Sequence, residues 1–201
     1  MDIPKNDILV NTPYKQGVII LVDISGFTAL VYEMELVVGR DIILTLLSSI
    51  IKTNQLNLHI AELEGDAVFY YRFGKAPSHK EVFHQYEKTL KSFWATVSSI
   101  TALKEKNLPL SLKMIVHYGD LEQYQINGFE KLYGKVVTEA HLLLKNNVKS
   151  HSYILMTEDY LKQVDPLEID QTYLFHSQCE ILNGVKQVYY SSFDYAKTIA
   201  S

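Results

Sequence analysis

The sequence contains a single cysteine, Cys179, which excludes an intrachain disulfide and any zinc site built from several thiolates. Its surroundings are apolar and strand-like, so the expectation is a buried, inert thiol. Positive charge is not in excess either. The formal net charge is -4, and no basic run interleaves with aromatics, which leaves nucleic acid and anionic lipid without an electrostatic footprint. Long apolar runs are also missing: Val18 to Val22 is among the longest, against the roughly 20 residues that a membrane helix needs. The opening residues MDIPKNDILV lack the basic start and apolar centre of a signal peptide. Together these absences predict a cytoplasmic protein that binds neither membrane nor nucleic acid. Internal repeats, low-complexity tracts and Gly/Ser linkers are absent. The expectation is one domain over residues 1–201, with its core at about 17–195.

What is present suits an ordinary globular chain. Of 201 residues, 47% are apolar and 21% charged, enough to bury a substantial core. Gly17 to Asp23 reads GVIILVD, a continuous β-branched run expected of a strand covered on both faces. A helix is predicted from Ser25, which can cap it, with Phe27, Leu30, Val31 and Met34 at helical spacing. Gly39 is expected to break it, and a second helix to start near Asp41. Leu58 to Glu64 and Ala67 to Phe73 flank Gly65-Asp66, a hairpin signal. Ser78 to Lys104 carries one long apolar stripe and reads as a helix. Ser111 to Tyr118 and Leu121 to Ile126 read as strands around a Gly119-Asp120 turn, Lys135 to Asn146 as a helix, and Tyr153 to Met156, Thr172 to Cys179 and Lys186 to Ser192 as strands. The predicted fold class is α+β: helices layered on a mostly antiparallel sheet.

Two carboxylates carry the chemistry. Asp23 closes the first apolar strand beside a helix start, and Asp66 lies in the hairpin turn. If that strand pairs with the hairpin, the two carboxylates meet, and hard oxygen ligands of this kind suit Mg²⁺ or Mn²⁺. Backbone N–H groups from Gly26 through Phe27 to Thr28 would offer a polyphosphate cradle. The plainer alternative is that Asp23 caps a helix and Asp66 shapes a turn. His79 and His84 have no matching metal partner in the sequence, and no P-loop, G-x-S-x-G or H-E-x-x-H pattern occurs. Phe69, Tyr70 and Tyr71 are consecutive in a strand, so they point to alternating faces and cannot form one stacking platform.

Four segments, in order, resemble the catalytic domain of class III nucleotide cyclases. VDISGFTAL at Val22–Leu30 looks like the first metal-site motif, ELEGDAVF at Glu62–Phe69 like the second. IVHYGDL at Ile115–Leu121 and LYGKVVTEA at Leu132–Ala140 resemble the segments that follow. The resemblance implies a ferredoxin-like βαββαβ core, a head-to-tail homodimer and nucleoside triphosphate sites at the subunit interface. It implies Asp23 and Asp66 as metal ligands with the Ile24 carbonyl beside them, and Glu62 as the purine-reading residue, while Phe27 and Thr28 remain the substrate-binding candidates that the helix start offers. Glu62 is of the type that reads guanine; its partner position is Lys131, which either bonds a base carbonyl or pairs with Glu62.

The same resemblance exposes departures. Where active cyclases carry an asparagine and, four residues on, an arginine that stabilise the transition state, this chain has Thr138 and Leu142. Threonine retains a hydroxyl, but leucine cannot stabilise charge, and such an arginine contributes on the order of 10³-fold or more in rate. His141 is the nearest substitute, and Lys186 the nearest candidate for a triphosphate-binding lysine. Three readings follow: a degenerate cyclase-like domain that binds metal and nucleotide, an active cyclase with an unusual residue complement, or a structural domain without ligand.

Overall fold

A computed structural model describes residues 15–165, 175–182 and 186–195. Its strands are β1 (Lys15–Ser25), β2 (His59–Glu64), β3 (Ala67–Phe73), β4 (Ser111–Ile126), β5 (Phe129–Tyr133), β6 (Tyr153–Thr157), β7 (Phe175–Leu182) and β8 (Lys186–Asp194). The helices are α1 (Phe27–Glu33), α2 (Leu36–Ile51), α3 (His79–Ser99), α4 (Thr101–Lys106), α5 (Lys135–Leu143) and α6 (Glu158–Leu161). The sheet runs β2-β3-β1-β4-β6-β8-β7, with β5 paired to β4 alone. Its first four strands, with the helices between them, form the predicted βαββαβ core. All these pairings are antiparallel except β4 with β6.

The unbroken apolar run of β1 has a direct structural counterpart. Val18, Ile20, Val22 and Ile24 face a core shared with α2 and α3, where Leu46, Tyr86 and Phe93 are fully buried. Ile19 and Leu21 face a second core closed by Val136, Ala140 and Leu143 of α5. Phe69 and Tyr71 join the second core while Tyr70 joins the first, the alternation expected of a strand.

Several sequence expectations are corrected. Gly26, at φ 87°, precedes α1 in place of Ser25; a Cβ there would lie 3.1 Å from the Pro109 carbonyl oxygen. The Ser25 hydroxyl is instead buried with no hydrogen-bond partner among the described residues. The first helix ends at Glu33, and α2 runs straight through Gly39, because one helical glycine costs only about 1 kcal/mol relative to alanine. The long helix predicted to Lys104 is interrupted at Ile100, whose backbone is extended. No turn occurs at Gly119-Asp120. β4 continues for 16 residues, and Gly119 serves close packing: a Cβ there would meet Val136 of α5 at 3.2 Å. The chain reverses at Asn127-Gly128, both at positive φ, the pairing that tight hairpins favour. Cys179 is exposed rather than buried, since it lies on β7, the edge strand of the sheet. The start of the predicted Thr172–Cys179 strand lies outside the described residues. Among the described residues no helix is long and apolar enough to cross a membrane.

Candidate functional site

The antiparallel pairing of β1 with β3 aligns Asp23 with Ala67, one residue past the hairpin turn. The turn is stitched to β1 by the Ile24 N–H, which donates to the Asp66 carbonyl at 3.2 Å. Backbone pairing, not side-chain attraction, therefore brings two like charges together. The Asp66 carboxyl is near enough to Asp23 to feel its charge, and its pKa is pushed up from 3.8 to about 6. Burial is the largest cause and the Asp23 charge the next; the residue's own backbone N–H and the Lys113 ammonium act in the opposite direction. On the other side of β1, Lys113 of β4 sits directly opposite Asp23 in register, with its ammonium 3.5 Å from Asp23 Oδ2. In an extended strand the N–H and C=O of one residue point to the same edge. The Ile24 carbonyl is thus directed toward the turn that holds Asp66.

This donor set is all oxygen: two mutually repelling carboxylates and a carbonyl. It fits a hard divalent cation such as Mg²⁺ or Mn²⁺, because a cation between the carboxylates removes the repulsion that adds to burial in raising the Asp66 pKa. Lys113 was missed in the sequence reading. Its only signal was the strand register, which no local motif encodes.

The remaining sequence candidates occupy distinct places. Phe27 is half-buried and Thr28 exposed in the first turn of α1, immediately after β1. Glu62 and Lys131 do pair, at 2.8 Å, on a partly exposed surface, bridging β2 and β5. That hydrogen bond and the Glu62 charge raise the Lys131 pKa. Thr138 is exposed on α5, whereas Leu142 packs against the second core. His141 stacks on Phe69 with ring centroids 4.7 Å apart, and its Nδ1 lies 3.2 Å from Glu64 Oε2. Lys186 is not brought to the aspartate pair. Its ammonium bonds Glu139 at 2.7 Å and lies 3.8 Å from Asp159.

That last contact opens a cluster the sequence reading did not find. His117 Nε2 lies 2.9 Å from Glu139 Oε2, and His117 Nδ1 lies 2.8 Å from the Thr157 hydroxyl. The Glu139 carboxyl is held below the usual carboxylate range: burial alone would raise it, but hydrogen bonds from His117 and Lys186 outweigh that. These side chains come from β4, α5, β6, α6 and β8, so no sequence spacing announces them.

Comparison with known proteins supplies the frame. The family described as "Protein of unknown function (DUF2652)" matches residues 43–153. No curated protein matches the chain in sequence. Among solved structures, the guanylyl cyclase Cya2 superposes with a TM-score of 0.68 at 13% identity, covering 89% of this chain and 91% of that one. An adenylate cyclase from Trypanosoma brucei, solved in its monomeric state, gives 0.65 at 16%, covering 94% and 93%. The adenylyl cyclase CyaB from P. aeruginosa gives 0.59 at 17%, covering 89% and 93%. At such identities the likeness establishes the fold: that of nucleotide cyclase catalytic domains.

Proposed function

Since this chain belongs to the DUF2652 family and carries the fold of nucleotide cyclase catalytic domains, we propose that it binds a divalent metal and a nucleoside triphosphate with little or no cyclase activity. The meeting of Asp23 and Asp66 carries the proposal. Their carboxylates, with the Ile24 carbonyl, would hold Mg²⁺ or Mn²⁺. Such an ion supplies Lewis-acid stabilisation of phosphate oxygens when bound. Lys113, partly exposed beside Asp23, is placed to meet the charge of a polyphosphate arriving at the metal. Phe27 and Thr28 border the same edge of the sheet. Glu62 is of the right type to accept hydrogen bonds from a guanine edge, with Lys131 as a donor to its carbonyl.

The proposal of weak turnover rests on α5. Leu142 occupies a position where the cyclase resemblance calls for arginine, and it is packed against the core. Thr138 replaces the asparagine. His141 is already engaged by Phe69 and Glu64. None of these places a fixed cation against a transferring phosphoryl group, the interaction on which such catalysis depends.

The homodimer implied by the resemblance belongs to the same proposal. Tyr124, Ile126, Phe129 and Tyr133 expose apolar surface along the β4–β5 ribbon, and Tyr32, Leu36 and Val37 do so on α1 and α2. Apolar surface of this extent supports an interface.

The test is calorimetry with Mn²⁺ and a nonhydrolysable GTP analogue at millimolar concentration. Binding is expected in the wild type and should be lost in Asp66→Asn. Absence of any Mn²⁺-dependent nucleotide binding would overturn the reading. Accumulation of a cyclic nucleotide, followed by mass spectrometry with each of the four NTPs, would move the chain to the active cyclases.

A further inference from the structure

The second cluster lies apart from the aspartate pair. His117, Glu139, Asp159 and Lys186 all line a cleft of about 600 Å³ whose lining includes neither Asp23 nor Asp66. Clefts of this size fall in the range that accommodates small ligands. His117 and Glu139 are 1% and 8% exposed, so their polar atoms are committed to one another and to the cleft.

Three features single the cluster out. The first is spacing. One nitrogen of His117 and one oxygen each from Glu139 and Asp159 all lie within 4.8 Å of one another. Ligands bound to one ion at about 2.0–2.2 Å lie somewhat closer than this, so only a small closure is needed. The second is orientation. The fully buried Thr157 hydroxyl engages His117 Nδ1, and Nε2 is directed at Glu139, to which its N–H donates in the metal-free state; metal binding would displace that proton and leave Nδ1–H to donate to the Thr157 oxygen. A hydrogen bond on the far ring nitrogen is the arrangement that orients metal-binding histidines. The third is charge. Lys186 places its ammonium between Glu139 and Asp159, so the position already holds a cation. With a neutral imidazole, one ammonium leaves two carboxylates undercompensated by one unit; a divalent ion balances them. The Lys186 side chain is 44% exposed, so solvent can receive its ammonium when an ion displaces it.

We infer that His117, Glu139 and Asp159 form a binding site for a zinc-type divalent cation, with Lys186 as the competing internal cation. An imidazole nitrogen among the donors favours zinc-type ions over Mg²⁺ or Ca²⁺, which take oxygen ligands. Three protein ligands leave further coordination positions open toward the cleft. The inference does not rest on the proposed nucleotide function.

The test uses the whole chain carrying Asp66→Asn and Cys179→Ser, which removes the aspartate pair and the exposed thiol as competing sites. After chelator treatment, ZnCl₂ is titrated by calorimetry. One ion per chain is expected. Asp159→Asn should weaken binding at least tenfold, and Lys186→Met should strengthen it by a similar factor. Co²⁺ should give visible absorption that His117→Gln abolishes. Because His117 is buried, folding of that variant is checked by circular dichroism, and partly exposed Asp159 keeps the test decisive if it fails to fold. No zinc binding, or binding unchanged by Asp159→Asn and Lys186→Met, would overturn the assignment.

Discussion

Replacing Asp66 with asparagine should stabilise the metal-free protein at neutral pH, although it removes a native polar contact. The Asp66 carboxyl titrates at about 6 in the fold, against 3.8 as its ordinary value. The sign follows from linkage. Between those two values the folded state keeps a proton that the unfolded chain has released, so stability falls as pH rises through this window. Above about pH 6 the full penalty of ionising Asp66 beside Asp23 is present; below pH 3.8 it is gone. Direct conversion of the shift gives about 3 kcal/mol, and solvent screening at a turn only half-buried reduces this to about 1–2 kcal/mol. Asp66→Asn lifts that penalty without removing the backbone bond between Ile24 and Asp66. For a chain of this size the gain corresponds to a Tm rise of about 2–8 °C.

The assay is thermal unfolding followed by circular dichroism, for wild type and Asp66→Asn, at pH 4.5 and pH 8 with chelator. The variant should be more stable at pH 8, with most of that advantage lost at pH 4.5. Adding Mn²⁺ at pH 8 should reverse the order. A ligand at 100 times its Kd stabilises by about 2.7 kcal/mol, and only the wild type retains both carboxylates. If Asp66→Asn lowers Tm equally at both pH values, or Mn²⁺ shifts both proteins alike, the aspartate pair is a turn feature and the metal argument fails.

Other predictions address the remaining parts of the molecule. Glu139, whose carboxyl is held low by His117 and Lys186, contributes stability above about pH 4.5 that is lost as pH falls below it. Glu139→Gln in chelator should therefore cost about 1–3 kcal/mol at pH 7 and flatten the acid limb of a denaturation series; an unchanged limb would refute the pairing. Thr138→Asn combined with Leu142→Arg should raise cyclic nucleotide production with Mn²⁺ by at least tenfold over wild type, read by mass spectrometry. No increase would show that more than these two groups is missing. Light scattering across a concentration series should reveal dimers. Phe129→Asp on the exposed ribbon should shift them toward monomer, and a wild type that stays monomeric at high concentration would count against nucleotide binding at a shared interface.

Much of the architecture was legible because local patterns and tertiary demands agree. The β-branched run of β1 requires cover on both faces, and two cores provide it. Gly65-Asp66 between two alternating strands is a hairpin in sequence and in space. Failures came where a residue answers to a distant neighbour. Gly119 reads as a turn signal, yet it lies within a long strand because Val136 crosses it. Cys179 reads as buried from its apolar surroundings, but sheet order leaves it on an edge strand.

Residue type and turn chemistry are written locally, and they suffice to put one carboxylate at the end of a buried strand and another in a tight turn. Whether those carboxylates come together depends on β1 pairing with β3 in a single register, a long-range contact that appears only in the folded chain. The same holds for Lys113 opposite Asp23, and more strongly for His117, Glu139, Asp159 and Lys186. Four separate elements bring those last side chains to one cleft, and long-range strand and helix packing leaves no mark in the spacing of residues along a chain.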